Sequence, residues 1–344
     1  RSSPCRRPSR RSASSARGAE HEAAPDCLLG LLPGFDAVEN RVWEALSLRY
    51  EIELTSETRY ADLLVFGDFG TRHWDFQGRK VYLTGENMVP DFDQCDLAFS
   101  PVEIPGDRRA VRLPYYAQVL KEAKPFLRAP GYKADPCLDR PAFCSFVSSN
   151  PTCRMRNRIF KSLHRKKPVA SGGTLFNTTG TKIDDKMAFL RRARFNLACE
   201  NSRSPGYVTE KLVDAIHACA VPIYWGAPDV GRDFDPRCLI NISDYADLDE
   251  ATEAILRVDQ DEAARRRILE APVFLGNAAP ECMSPQHLLA PLTDLLESRS
   301  PARRHPRVRR LHEHIRASRH SLSYKFEKFL CKLEAKLWRH GLRG

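Results

Sequence analysis

Apolar residues along this chain come in short solid blocks. Residues 61–66 (ADLLVF) form one, closing at Gly67, and 80–83 (KVYL) and 96–99 (DLAF) read as further strands, bounded by Gly and Pro. Residues 142–147 (AFCSFV) form another and run through Ser148-Ser149-Asn150-Pro151 into a helical pattern over 155–164. Blocks this short, with turn residues at both ends, predict strands buried on both faces. The densest stretch is 195–226, FNLACENSRSPGYVTEKLVDAIHACAVPIYWG. It predicts a strand that breaks at Glu200-Asn201, then a turn-rich loop through Ser202, Ser204, Pro205 and Gly206. An amphipathic helix opens around Tyr207-Val208-Thr209-Glu210-Lys211, and a second strand over 221–225 stops at Gly226. Strands alternating with helices at this spacing imply parallel sheets. Polar residues gathered where strand meets helix lie at the edge where open α/β sheets bind ligands.

Two further patterns differ from the body. Residues 1–25 are an Arg/Ser/Ala-rich, low-complexity segment expected to be disordered. Near the other end Leu322, Phe326, Phe329, Leu330, Leu333, Leu337 and Trp338 recur at helical spacing, with Lys325, Lys328, Lys332, Lys336 and Arg339 between them. This is a basic amphipathic helix, whose apolar stripe packs on the body or meets anionic lipid, with nucleic-acid binding the third reading. The expected organisation is a basic N-terminal segment over 1–25, one α/β domain over 26–148, a second over 149–300 and the helical tail over 301–344.

Charge sharpens this division. The chain carries a net +10 over 344 residues, but 301–344 alone carries +10 and 1–20 carries +5, which leaves the body mildly acidic. Basic ends on an acidic body favour terminal attachment to an anionic surface over a nucleic-acid grip by the body. The 11 cysteines form no CxxC pair, which argues against a structural zinc site and for buried free thiols in a reducing compartment. No secretory segment or membrane-spanning run is recognised, so a cytoplasmic location is expected. The acceptor patterns Asn177-Thr178-Thr179 and Asn241-Ile242-Ser243 then carry no glycan.

Candidate chemistry lies in three clusters. Glu86 sits in the loop Thr84-Gly85-Glu86-Asn87 directly after a strand, where a carboxylate can be a general base or a solvated loop residue. Arg154, Arg156 and Arg158 open the helix after Asn150-Pro151, and guanidinium forks suit phosphate. At 207–211, Thr209 can cap the helix and Glu210 suits its first turn, whereas Lys211 is unfavourable there unless an anion sits nearby. Asp91-Phe92-Asp93 has the DxD pattern, read here as a loop and not a metal site. No GxGxxG, Walker loop, GxSxG or HExxH occurs, which sets aside the usual dehydrogenase, NTPase, serine-hydrolase and zincin readings.

Glu200-Asn201, Tyr207-Val208-Thr209-Glu210-Lys211 and Val221-Pro222-Ile223-Tyr224-Trp225-Gly226, with Gly85-Glu86-Asn87, Val89-Pro90-Asp91-Phe92 and Ser148-Ser149-Asn150-Pro151, together resemble the bacterial α-1,3/4-fucosyltransferases of glycosyltransferase family 10. The resemblance covers about Asp62 to Pro272. It implies the α/β GT-B architecture, two Rossmann-like domains facing a cleft, the first presenting the acceptor and the second binding GDP-β-L-fucose. It implies inverting transfer of fucose to the 3-hydroxyl, or alternatively the 4-hydroxyl, of N-acetylglucosamine in an N-acetyllactosamine-type cell-surface glycan. It implies that no cofactor is required and that a divalent metal is stimulatory at most. Catalytic roles fall to Glu86 as base and Glu200 as counter-charge, and donor binding to Arg156, Asn201, Tyr207, Glu210 and Lys211. Leu83, Ala198-Cys199 and Phe176 depart from the family pattern and bear on acceptor preference and donor affinity. The implied partners are GDP-β-L-fucose, the glycan acceptor and, through 301–344, the inner face of an anionic membrane, with no nucleic acid. The remaining readings are a related transferase using another nucleotide sugar and a non-catalytic basic protein that binds membrane or polyanion.

Overall fold

The computed structural model describes residues 26–31, 40–57, 60–68, 72–134 and 140–298, with Phe329, Leu330, Leu333 and Trp338 of the tail. The segment 1–25 and nearly all of the 301–344 helix therefore lie outside the described residues. The first sheet contains β1 (Asp26–Leu31), β2 (Glu51–Thr55), β3 (Leu63–Phe66), β4 (Arg79–Leu83), β5 (Leu97–Ser100) and β6 (Ala110–Arg112). Their order is β2-β1-β3-β4-β5-β6, parallel throughout. The second contains β7 (Ala142–Phe146), β8 (Val169–Ser171), β9 (Ala193–Cys199), β10 (Val221–Trp225) and β11 (Ile240–Asn241). It is ordered β11-β10-β9-β7-β8 and is likewise parallel.

Each sheet steps from its first strand to the second on one side, then reverses. The reversals fall between β1 and β3 and between β7 and β9. Loops leaving the carboxyl ends on either side of such a reversal diverge and open a crevice for ligands. The solid apolar blocks have their physical cause here: Leu63, Leu64 and Val65 are fully buried, as are Val221 and Ile223, because a parallel sheet is covered on both faces.

The covering helices are α1 (Arg41–Leu46), α2 (Tyr115–Val119), α3 (Arg154–Lys166), α4 (Lys186–Leu190), α5 (Glu210–His217), α6 (Leu248–Gln260), α7 (Glu262–Glu270) and α8 (Pro285–Glu297). Two expected boundaries need correction. β7 pairs with β8 and β9, so the second unit begins before residue 142 and not at 149. At the other end α8 returns to the first unit, burying Leu288 and Leu292 in the same cluster as Val42 and Leu46 of α1. Arg49 pairs with Glu297 at 2.6 Å, and Arg41 donates to the Met283 carbonyl. α8 thereby adds to the cover of the first unit.

The units share one apolar cluster, in which Tyr116 of α2 meets Phe234 at 4.9 Å between ring centroids. Inside it Arg112 donates to both carboxylate oxygens of Asp233, at 3.1 and 2.5 Å, with each side chain only 7% exposed. Removing one partner of such a pair strands the other charge away from water. Arg112→Ala is expected to lower stability by about 3–5 kcal/mol, read as a reduced urea midpoint. An unchanged midpoint would show that water or a neighbour takes over the Asp233 carboxylate.

The described cysteines other than Cys219 are buried free thiols. Burial, with the nearby Asp62, pushes Cys27 up to about 11, and burial with Asp235 pushes Cys238 to about 12. Trp338 packs against Phe160, His164 and Phe176, with centroids 5.2–5.6 Å away, while Phe329, Leu330 and Leu333 are exposed. At Phe176, one of the departures noted above, the side chain is fully buried and stacks on Phe160 at 4.9 Å.

Candidate active site

A cavity of about 720 Å³ opens between the carboxyl ends of the two sheets. Asn40, Arg41, Asp68, Thr84, Glu86 and Tyr115 line it from the first unit, and Asn201, Tyr207, Thr209, Glu210 and Lys211 from the second. The two sides touch directly: Asn87 Nδ2 donates to Ser202 Oγ at 2.9 Å, and Tyr116 N–H to the Val208 carbonyl at 3.2 Å.

On the first side β4 ends at Leu83 and the chain turns through Thr84-Gly85-Glu86. The Glu86 N–H donates to Thr84 Oγ1 at 3.0 Å, which holds the turn. A Cβ at Gly85 would lie 2.1 Å from the Tyr115 ring, so glycine lets the loop run against that aromatic face. Burial raises the Tyr115 hydroxyl pKa, with Glu210 and Glu86 adding to it, so carboxylates from both units converge on this phenol.

The second side is built where β9 ends. Glu200 continues the ladder, its N–H donating to the Trp225 carbonyl at 2.8 Å. Its side chain is fully buried. The carboxylate accepts Thr209 N–H at 2.7 Å, Thr209 Oγ1 at 2.6 Å and Lys211 Nζ at 3.3 Å. At Gly226 a Cβ would come within 2.5 Å of Glu200 Cγ, so the chain just after β10 lies against the stem of this side chain. Burial raises the Glu200 pKa against the pull of Lys211 and Thr209. Glu200 does not line the cavity. Both of its oxygens serve the first turn of α5, so Glu200 positions Thr209 and Lys211, and a counter-charge role would act from behind them.

Lys211 also approaches Thr209 Oγ1 at 2.8 Å and Glu210 Oε1 at 3.4 Å. Burial lowers its pKa, but Glu200 and Glu210 outweigh burial and the net shift is upward. Glu210 shifts the other way: burial raises it, and Lys211 and Lys186 overcome this to bring it below its ordinary value. The cation at the start of α5 thus has counter-charges inside the protein, and it needs no bound anion to balance it.

Arg156 lies one layer beneath the cavity wall. It is fully buried, donates from Nη1 to Asn201 Oδ1 at 2.5 Å and from Nη2 to the Asn150 carbonyl, and its Nε has no hydrogen-bond partner. It ties the turn after β7 to the loop after β9, across the reversal of the second sheet. Tyr207 is buried beside Asn201, and burial followed by Glu200, Glu86 and Glu210 holds its hydroxyl protonated.

Of the seven residues singled out from sequence, Glu86, Asn201, Tyr207, Glu210 and Lys211 line one cavity, while Glu200 and Arg156 brace it from below. Tyr115, Thr84 and Asp68 were missed. Asp68 had a readable signal, since it follows a buried strand and Gly67, but its place at a sheet reversal depends on strand order. Asp91 caps its own turn, accepting Asp93 N–H at 2.9 Å, and among the described residues no three potential metal ligands gather.

Known proteins resemble this chain in sequence and in fold. Residues 140–270 match the description "Glycosyltransferase family 10 (fucosyltransferase) C-term", and 28–119 match "Alpha-(1,3)-fucosyltransferase FucT N-terminal domain". The chain is 34% identical to an α-(1,3)-fucosyltransferase of Helicobacter pylori over 245 residues, 61% of this chain and 51% of that one. It therefore spans about half the length of that relative. An α-(1,4)-fucosyltransferase of Arabidopsis thaliana is 37% identical over 140 residues, 35% of each chain. A crystal structure of an α1,3-fucosyltransferase with GDP superposes with a TM-score of 0.69 at 28% identity, covering 85% of this chain and 96% of that one. A structure with GDP-fucose gives 0.69 at 27% identity, over 84% and 95%.

Proposed function

Since the chain belongs to glycosyltransferase family 10, the fucosyltransferases, we propose that it transfers L-fucose from GDP-β-L-fucose, with inversion, to a hydroxyl of N-acetylglucosamine in an N-acetyllactosamine-type glycan. The 3-hydroxyl is the favoured acceptor and the 4-hydroxyl the alternative. The observation that carries this reading is the meeting of Glu86 with Tyr207, Glu210 and Lys211 around one cavity, from opposite sheets.

The chemistry follows from these residue types. Glu86 takes the proton of the acceptor hydroxyl as its oxygen forms a bond to the anomeric carbon. The bond from that carbon to the GDP oxygen breaks, and its electron pair leaves with the diphosphate. Lys211 stabilises the growing negative charge by swinging off Glu210, the longest of its three contacts, while Arg156 adds charge from beneath Asn201. Glu210 accepts hydrogen bonds from the donor's ribose hydroxyls.

The decisive assay follows GDP release from GDP-fucose with and without N-acetyllactosamine. Acceptor-dependent release is expected, with an α-fucoside as product. Absence of GDP binding would overturn the donor-side assignment.

The membrane role of 301–344 belongs to the same proposal, on the cytoplasmic face. Its support is the concentration of positive charge there and the exposure of Phe329, Leu330 and Leu333. Protein lacking 301–344 is expected to lose sedimentation with anionic vesicles. Equal sedimentation of both forms would remove this role.

A further inference from the structure

The first unit contributes a second carboxylate to the cavity. Asp68 follows β3 and Gly67 at the reversal between β1 and β3, where this sheet topology opens a ligand crevice. The β3–β4 register pairs Phe66 with Tyr82, which sets Asp68 level with Thr84. The Tyr82 hydroxyl donates to Asp68 Oδ1 and the Thr84 hydroxyl to Oδ2, the latter at 2.6 Å. Thr84 Oγ1 in turn accepts the Glu86 N–H. Asp68 is thus aimed by two hydroxyls, Tyr82 on β4 and Thr84 just after it, where the chain leads into the Glu86 loop.

An ionised carboxylate only accepts, and has about four lone-pair sites. Tyr82 and Thr84 occupy two of them. Asp68 is exposed on the cavity wall, so its remaining capacity is open to the contents. A saccharide with one hydroxyl at Glu86 presents its other hydroxyls as donors to the same wall.

We propose that Asp68 is a specificity-determining residue for the acceptor, accepting hydrogen bonds from saccharide hydroxyls other than the one that receives fucose. This rests on the reading of the cavity as a fucosyltransferase site.

The test compares the parent protein, Asp68→Asn and Asp68→Ala on N-acetyllactosamine and its monodeoxy analogues at saturating GDP-fucose. Asp68→Ala should lose about 10-fold to 100-fold in kcat/KM for the acceptor, carried by KM, with the KM for GDP-fucose unchanged. Asp68→Asn, which keeps one acceptor oxygen and the side-chain size, should lose less and supplies the comparison if the alanine variant unfolds. At least one deoxy analogue should suffer a similar loss with the parent and no added loss with Asp68→Ala. A fall in kcat alone, with acceptor KM unchanged, would mean that Asp68 only positions Glu86 through Thr84, and would overturn the proposal. Equal deoxy penalties in parent and variant would overturn it too. A parent that releases no GDP with any acceptor would remove the fucosyltransferase reading itself, a failure distinct from these.

Discussion

Replacing Glu86 by Gln is expected to lower turnover by about 100-fold to 10,000-fold, the range associated with a lost general base, while GDP binding stays near that of the parent. Gln is isosteric and leaves the backbone N–H that bonds Thr84 Oγ1 in place, so the loop keeps its shape. The donor side comes from β9 and α5 on the other sheet, with Asn201, Tyr207, Glu210 and Lys211. What the variant loses is the ability to take a proton. Steady-state turnover with GDP-fucose and N-acetyllactosamine, alongside calorimetric titration of GDP, separates the two effects. Near-parental turnover would show that another group takes the proton. Loss of GDP affinity together with turnover would mean that Glu86 supports the donor side.

Lys211→Ala should damage both stability and turnover. In the parent, Glu200 is fully buried and accepts from Lys211 at 3.3 Å, and Lys211 is only 18% exposed on its side chain. Truncation leaves Glu200 with Thr209 alone, and an uncompensated buried charge costs about 3–5 kcal/mol. The pH dependence identifies the cause. Burial already raises the Glu200 pKa, and removing Lys211 raises it further. A carboxyl whose folded pKa lies above its unfolded value binds more protons in the native state, so stability falls as pH rises from the unfolded value through the folded one. The deficit of Lys211→Ala relative to the parent should therefore grow as pH rises through that window and shrink in acid, read by urea unfolding at several pH values. A pH-independent deficit would show that Glu200 is not the source. GDP affinity at the pH of least deficit isolates the phosphate role, and parental affinity there would sink it.

The same carboxylate shows where reading the chain alone stops. Glu200 and Glu210 both stand next to residues that suit a donor site, and nothing in their sequence neighbourhood says which of them is buried. In the fold one is packed against Gly226 and bonded to Thr209, while the other borders the cavity. Burial is a property of the contacts around a residue, and here they include Gly226, just past β10 and more than twenty positions away. Arg156 was similarly legible as a cation near the donor site but not as a brace between two loops.

Local pattern determined much of this protein. Buried blocks located β3, β4, β5, β7, β9 and β10, because strands covered on both faces are mostly apolar. The run from Glu200 to Lys211 placed a strand end, a capped helix and their polar junction, since caps and turns are decided within a few residues. Tertiary structure decided what depends on distant partners. It moved β7 into the second unit and sent α8 back to the first, because hydrogen-bond pairing and exposed apolar area are satisfied across the whole chain and not within a segment. It also brought Glu86 and Asp68 to one wall and Lys211 to the other. Strand order sets which loops share a crevice, and no stretch of sequence shorter than a whole sheet encodes that order.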